Sequence, residues 1–162
     1  MTSRRHWLKS IVAAITLALG LPHLAQARDV VPFPGYETGT VVIVTHRREL
    51  FYVYATGYAI RYPVGVGRAG MAWQGQARIA RKLVQPAWRD ADGGPRTPGG
   101  SPQNPMGAAV LGLDRGNYAI HGTNDPASIG GFVSHGCIRM HNVDILDLYQ
   151  RVSLGDEVIV LQ

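Results

Sequence analysis

The sequence predicts a mainly β, single-domain protein with one clear α-helix. Short runs rich in β-branched and aromatic residues alternate with turn residues, and the 162 residues include 20 glycines and 10 prolines. Apolar residues at helical spacing follow Asn142 and form the one convincing helix pattern in the sequence. Hydrophobic residues make up 46% of the chain, so it is able to bury a core of its own.

The first 27 residues have the order of a signal peptide: "MTSRRHWLKS" is basic, "IVAAITLALGL" is apolar, and "AQA" places small residues before the cleavage point. The stretch from Ser3 to Lys9 resembles the twin-arginine export signal, although Trp7 stands where such signals usually have phenylalanine. We expect cleavage after Ala27 and export to a periplasm. The alternatives are the general secretory route and an uncleaved anchor, but the apolar run is about half the ~20 residues that a spanning helix needs.

Charge and glycine patterns give no reason to expect a nucleic-acid partner or a cofactor. The formal net charge is +5, but three basic residues lie in the predicted signal peptide, and without them 13 bases face 11 acids. The sequence has no basic stripe with interleaved aromatics. It also has no glycine-rich loop that follows a strand and opens a helix, so we expect neither a nucleotide nor a redox cofactor.

The chain after the signal peptide begins with a predicted linker over residues 28–39, where "RDVVPFPGYETG" holds two prolines and two glycines. From Thr40, "TVVIVTH" and "LFYVYA" are typical of two strands joined by the polar turn "RRE", and together they predict a hairpin. "YAIRYPVGVG" continues as a strand that Pro63 interrupts, which predicts that Pro63 lies at an edge or a bulge.

Residues 89–107 form the clearest loop in the sequence, because glycine and proline dominate "RDADGGPRTPGGSPQNPMG". A long loop in a compact domain is often a lid or a binding loop, and the alternative is a disordered surface excursion. "NYAIHGT" then predicts a strand that ends at His121. Asn142 is a good N-cap for the helix, and "GDEVIVL" closes the chain as a strand. The apolar residues of the helix are Ile145, Leu148 and Val152.

Cys137 is the only cysteine in the sequence, and a single thiol cannot form an internal disulfide in an exported protein. A thiol is a strong nucleophile as the thiolate, and a nearby histidine, positive charge or helix N-terminus lowers its pKa. Arg139 and the helix that begins near Asn142 are close in sequence. His135 is two residues away, whereas His121 ends a separate predicted strand and can approach the sulfur from there.

Two glycines beside these residues fit nucleophilic chemistry. Gly122 leaves room for a substrate and frees a backbone carbonyl to orient the His121 imidazole. Gly136 permits a tight turn, which would present the amides of Gly136 and Cys137 to a developing oxyanion.

The stretch "IHGTNDPASIGGFVSHGCIRMHNVD" resembles the catalytic signature of the YkuD-type L,D-transpeptidases, which cross-link peptidoglycan. The matching residues are His121, Gly122, Thr123, Ser134, His135, Gly136, Cys137, Arg139, Asn142 and Asp144. "YPVGVGRAGMAWQG", "PGGSPQNPMG" and "GDEVIV" also resemble family segments, so the resemblance covers nearly all of the chain from about Thr40. It implies a β-sandwich catalytic domain over residues 40–162, with the Cys/His pair in a cleft beneath a loop lid.

By this resemblance, Cys137 is the nucleophile and His121 the general base. The implied oxyanion and substrate site consists of Gly122, Ser134, His135, Gly136 and Arg139. The sulfur attacks the carbonyl between the L-centre of meso-diaminopimelate and the terminal D-Ala of a tetrapeptide stem, and D-Ala leaves. A second stem then resolves the thioester as a 3→3 cross-link. Water as acceptor would give a carboxypeptidase, and an amine of a lipoprotein or outer-membrane protein would give an anchoring enzyme. We expect a monomer without a metal.

Two other classes of protein remain open from the residues. His135, Cys137 and His141, with His121 as a fourth ligand, could form a zinc site. A wall-binding module with an inert buried cysteine is the second alternative. Trp73 and Trp88 are interpreted as core or cleft-wall aromatics, and Arg115 receives no role.

Overall fold

The computed structural model describes residues 28–90 and 92–162, so the predicted signal peptide lies outside the described residues. The strands are β1 (Asp29–Pro32), β2 (Val41–Val44), β3 (Glu49–Ala55), β4 (Tyr58–Pro63), β5 (Val66–Gly67), β6 (Gly75–Val84), β7 (Ala109–Leu113), β8 (Ala119–His121), β9 (Phe132–Ser134), β10 (Ile138–Arg139) and β11 (Glu157–Leu161). The α-helix is α1 (Asn142–Arg151), and short 3₁₀ turns occupy Thr45–Arg47 and Pro126–Ser128. No helix in the described ranges combines the length and hydrophobicity that a membrane crossing requires.

Nine strands form a sheet in the order β1-β4-β3-β2-β11-β6-β7-β8-β10, and β5 pairs with β9 in a separate two-stranded ladder. The long strand β6 joins two halves of the large sheet, because it pairs with β11 from Gly75 to Arg78 and with β7 from Ile79 to Val84. The mainly β fold with one α-helix in the described residues confirms the predicted class.

The main core lies between the two halves of this sheet. Its buried side chains come from β2, β3 and β4 in one half, from β6, β7 and β8 in the other, and from α1. Val41, Leu50 and Tyr62 are fully buried on the first side, and Leu111 and Ile120 on the second. One apolar cluster shared by both halves means that they face each other as the layers of a sandwich.

The predicted linker over residues 28–39 has more structure than the sequence indicates. Its first part is β1, which pairs antiparallel with β4 and covers the edge that β4 would otherwise leave open. Phe33 then stacks on Phe51 with ring centroids 4.3 Å apart, and Tyr36 stacks on Phe33 at 5.2 Å. These rings cover a second apolar cluster on the outer face of the sheet. The start of the domain at residue 40 stays a prediction.

The predicted hairpin is confirmed, since β2 and β3 pair antiparallel from Val41↔Tyr52 to Val44↔Glu49. Pro63 is the last residue of β4 and pairs with Glu49, beyond the stretch of β4 that β1 covers. A proline fits there because no strand of the described chain pairs with β4 on its other side at this position, so the missing N–H removes no hydrogen bond on that side. The strand that ends at His121 and the closing strand are also confirmed.

The helix begins at Asn142, one residue before the start that an N-cap at Asn142 predicts. His141 occupies the N-cap position without a capping hydrogen bond from its side chain, and Asn142 is the first helical residue. The predicted N-cap role of Asn142 is therefore wrong, because its side chain is used elsewhere. The apolar face is confirmed, since Ile145 and Leu148 are fully buried and Val152 is 2% exposed.

Candidate active site

Strands β8 and β10 run side by side at the end of the large sheet. They pair in parallel, with Ile138 opposite Ile120 and Arg139 opposite His121. Both isoleucines are buried in the core. Since successive side chains of a strand point to opposite faces, His121 and Arg139 point away from the core, and Cys137 shares their face. The structure thus brings the predicted imidazole, at the end of β8, and the predicted thiol, directly before β10, onto one face of the sheet edge; their catalytic roles stay predictions.

The turn before the cysteine is held by Ser134. Its hydroxyl donates to the Cys137 carbonyl at 2.6 Å and accepts from the Gly136 amide at 3.0 Å. Gly136 has φ +122°, and a Cβ there would lie 2.4 Å from Cε1 of Tyr118. Glycine is thus required at this position both for the backbone conformation and for space.

The predicted pair of oxyanion donors needs a correction. The Gly136 amide already donates to the Ser134 hydroxyl, so it is not available to a substrate oxygen in this arrangement. The sequence could not show this, because a glycine before a cysteine gives no sign that the Ser134 hydroxyl accepts its amide hydrogen. Of the two predicted donors, the amide of Cys137 is the one that does not donate to Ser134.

His121 is 3% exposed, and its Nδ1 lies 2.6 Å from the Gly122 carbonyl. A carbonyl only accepts, so Nδ1 carries the hydrogen and Nε2 holds the lone pair. Burial, with a smaller contribution from the Arg139 charge, lowers the pKa of His121 to about 4, against the opposing effect of the Gly122 and Pro105 carbonyls. The imidazole is therefore neutral at neutral pH and able to accept a proton.

Cys137 is half-buried, and its sulfur lies 3.9 Å from the Asn117 carbonyl. Burial raises the pKa of the thiol, while the Ala119 backbone and the Arg139 charge lower it. The sequence leads us to expect a lowered pKa, but desolvation outweighs the positive charge. The thiol is thus neutral at neutral pH and needs a base to become a nucleophile.

His135 lies on the exposed side of the same turn. Its Nε2 contacts the Arg68 guanidinium, and the Arg68 amide donates to the Ser134 carbonyl at 3.1 Å. A guanidinium only donates, so the basic nitrogen of His135 is occupied by Arg68. The alternative zinc set is also not assembled: within the described ranges, no three His, Cys, Asp or Glu side chains are grouped to hold a metal ion.

Asn142 has a structural role that the sequence pattern did not reveal. Its Oδ1 accepts from the amides of Ala108 at 3.0 Å and Thr123 at 3.1 Å, and its Nδ2 donates to the Thr123 carbonyl at 2.9 Å. These bonds tie the segment after His121 to the end of the long loop. An asparagine at a helix start is typical of an N-cap, so only the contacts distinguish the two roles.

Two glycines make the room that this amide occupies. A Cβ would lie 2.2 Å from the Asn142 oxygen at Gly107 and 2.3 Å from it at Gly122. The predicted loop over residues 89–107 is ordered at its end, where Asn104 is 1% exposed and donates to the carbonyls of Pro86 and Pro98. A pocket of about 170 Å³ lies between this loop and the segment after His121. Lid behaviour of the loop stays a prediction.

An aromatic layer supports the cysteine turn from the other side. The Trp73 indole Nε1 donates to the Gly136 carbonyl at 3.0 Å, and its ring stacks on Tyr118 with centroids 5.2 Å apart. Trp73 is 8% exposed, so it belongs to the core as the sequence predicts, and it also borders the site. Trp88 lies in the loop region and pairs its backbone with Thr97.

Comparison with known proteins decides the family. The model of the YkuD family, described as the L,D-transpeptidase catalytic domain, matches residues 38–160. The chain belongs to this L,D-transpeptidase family. Putative L,D-transpeptidase YqjB of Bacillus subtilis is 36% identical over 136 residues, which cover 80% of the chain and 73% of that relative. Probable L,D-transpeptidase YbiS of Escherichia coli K12 is also 36% identical over 136 residues. The match covers 74% of this chain but only 43% of YbiS.

Solved L,D-transpeptidases share the fold. L,D-transpeptidase 3 from Mycobacterium tuberculosis, solved in complex with a faropenem-derived adduct, has a TM-score of 0.59 at 17% identity and covers 77% of this chain and 60% of its own. The Ldtfm-avibactam carbamoyl enzyme has a TM-score of 0.64 at 16% identity, over 78% of this chain and 50% of its own. The chain therefore spans about half to three fifths of the solved transpeptidases that it matches.

We expect the Cys137 thiol to react as a thiolate only at high pH. Because burial raises its pKa, alkylation by iodoacetamide should have a midpoint above the ~8.5 of a free cysteine. Arg139→Gln should move the midpoint higher, since the Arg139 charge lowers the pKa of the thiol. Intact-protein mass spectrometry at successive pH values measures the rate. Arg81→Gln, at an exposed arginine of β6, is the control, and a wild-type midpoint below 8.5 would contradict the expectation.

Asn142→Ala should destabilise this transpeptidase domain and slow acylation of Cys137. It removes three hydrogen bonds, each with a net contribution of about 0.5–1.5 kcal/mol, so we expect a loss of roughly 2–3 kcal/mol in the free energy of unfolding. Urea denaturation measures the stability, and adduct formation with a carbapenem measures acylation. Asn124→Ala is the matched control, because the exposed Asn124 makes one bond, to the Gln103 carbonyl. Equal stability of the two variants would refute the role.

Proposed function

We propose that this protein transfers the acyl group of a peptidoglycan tetrapeptide stem through a thioester on Cys137, with release of D-Ala. The observation that carries the proposal is the neutral, buried His121, whose lone pair is on Nε2 and whose strand places it on the same face as the thiol. A neutral imidazole on the same face as a neutral thiol is suited to take its proton as the sulfur attacks.

The acylation half of the reaction begins with the Cys137 sulfur bonding to the carbonyl carbon before the terminal D-Ala, while the thiol proton moves to Nε2 of His121. The amide of Cys137 supports the oxyanion that forms. When the tetrahedral intermediate collapses, the C–N bond breaks, and the D-Ala amine takes the proton from His121. The product is a thioester and a free D-Ala.

The second half uses an amine of another stem peptide. His121 accepts a proton from that amine as it attacks the thioester carbonyl, and then returns a proton to sulfur as the C–S bond breaks. The result is an amide in a 3→3 cross-link. Water or the amine of an anchored envelope protein would follow the same path, since these reactions differ only in the acceptor.

His121, rather than His135, is the base in this proposal. Nδ1 of His121 is held by the Gly122 carbonyl, which fixes the tautomer that leaves Nε2 basic. Nε2 of His135 accepts from Arg68, and the side chain is exposed. His135 and Arg68 then shape the rim of the site. Adducts named in the structures of relatives, from faropenem and avibactam, support acylation chemistry on this fold.

The test is to incubate the mature protein with purified tetrapeptide muropeptides and identify the products by mass. Cross-linked dimers with release of D-Ala are expected, whereas tripeptide monomers alone would show a carboxypeptidase. Cys137→Ala and His121→Ala should each lower turnover by at least about a hundredfold, and His135→Ala should retain most of it. Product formation by Cys137→Ala, or none by the wild type, would refute the proposal.

We also infer export by the twin-arginine route, from the motif around Arg4 and Arg5 in a segment outside the described residues. Replacing both arginines by lysine keeps the charge and should stop export, because the route reads the arginine pair and not its charge. Cell fractionation measures the exported amount in the native host. An unchanged amount would exclude this route and favour the general secretory one.

A further inference from the structure

The turn between β7 and β8 carries an arginine that the proposed mechanism does not use. Cys137 donates weakly to the Asn117 carbonyl in this turn, at 3.9 Å, so the turn borders the reacting sulfur. Arg115 lies in the same turn, two residues before Asn117, and its side chain is exposed. The turn is therefore close enough to the nucleophile to contact a bound substrate.

Two neighbouring groups contact the exposed Arg115 guanidinium. Its guanidinium carbon lies 4.9 Å from the centroid of the Trp73 ring, and its Nη1 is 3.5 Å from the Gln76 carbonyl. Trp73 in turn stacks on Tyr118 and donates to the Gly136 carbonyl of the cysteine turn. A continuous stack thus connects the guanidinium to the residue before the nucleophile. Such a stack orients a cation and leaves its N–H edge for a ligand.

No carboxylate on the described part of the protein neutralises the charge of Arg115. The neighbouring acid, Asp114, accepts from the Arg78 amide at 2.7 Å. Across residues 28–90 and 92–162, no carboxylate forms an ion pair with Arg115 within 4 Å. A planar guanidinium that stacks on an aromatic ring and has no carboxylate partner suits a ligand carboxylate, which it can bind through two parallel hydrogen bonds.

We propose that Arg115 binds a carboxylate of the donor stem peptide and so contributes to substrate selection. This inference rests on the proposed function. A tetrapeptide stem offers three carboxylates, on the glutamate residue, on the D-centre of diaminopimelate and on the terminal D-Ala. All three lie within two residues of the scissile bond, and an extended peptide spans roughly 3.5 Å per residue. A group bordering the nucleophile is within that reach.

The experiment compares wild type, Arg115→Gln and the control Arg81→Gln on four substrates. These are the tetrapeptide muropeptide and three forms in which one carboxylate at a time is an amide. Arg115→Gln should raise KM for the parent substrate about tenfold, the usual size of a lost charge-assisted bond, with little change in kcat. On the form whose amide replaces the bound carboxylate, wild type and Arg115→Gln should have equal KM. That form identifies the carboxylate.

Several outcomes overturn the inference. An equal penalty on all four substrates, or no penalty on any, would show that Arg115 recognises no stem carboxylate. Alkylation of Cys137 by neutral iodoacetamide checks that the site is intact in Arg115→Gln. If the site is damaged, Arg115→Lys, which keeps the charge without the planar fork, is used in place of Arg115→Gln. If the wild type releases no D-Ala from any form, the proposed function fails as well; normal wild-type turnover without the expected pattern refutes this inference alone.

Discussion

The parallel pairing of β8 with β10 is the constraint on which the site depends. Two ladder pairs place Ile120 and Ile138 in the core, and burial of these side chains sets which face of each strand is left for the chemistry. The side-chain period of a strand is two residues, so a shift of one would exchange the buried and exposed sets. His121 and Cys137 owe their common face to hydrophobic packing beneath them. The core thus selects the register, and the register brings the imidazole and the thiol onto one face.

Desolvation then decides the protonation state of the pair. Burial lowers the pKa of His121 and raises that of Cys137, so both groups are neutral at neutral pH. The Arg139 charge lowers the pKa of both and therefore favours proton release from the thiol while it makes the imidazole a weaker base. A neutral, half-buried thiol is also a poor target for oxidation, which follows thiolate character and exposure.

Periodic features of the fold were predictable, whereas features that depend on distant contacts were not. The hairpin, the strand ending at His121 and the apolar face of the helix follow from repeats of two and 3.6 residues. The pairing of β1 with β4 does not, because the proline-rich segment 28–39 carries no local sign of its partner. The role of Asn142 is unpredictable for the same reason, since its three hydrogen bonds reach the distant Ala108 and Thr123.

The sequence alone determined the chemical groups of the site and the family, because the signature around Cys137 is a local string of residue types. Only the tertiary structure decided which groups are available. Ser134 takes the Gly136 amide, and Arg68 takes the basic nitrogen of His135. The pKa values of the imidazole and the thiol depend on desolvation by segments that are distant along the chain. Whether a donor or an acceptor is free to bind substrate depends on its neighbours in the folded protein, and a local sequence motif does not specify those neighbours.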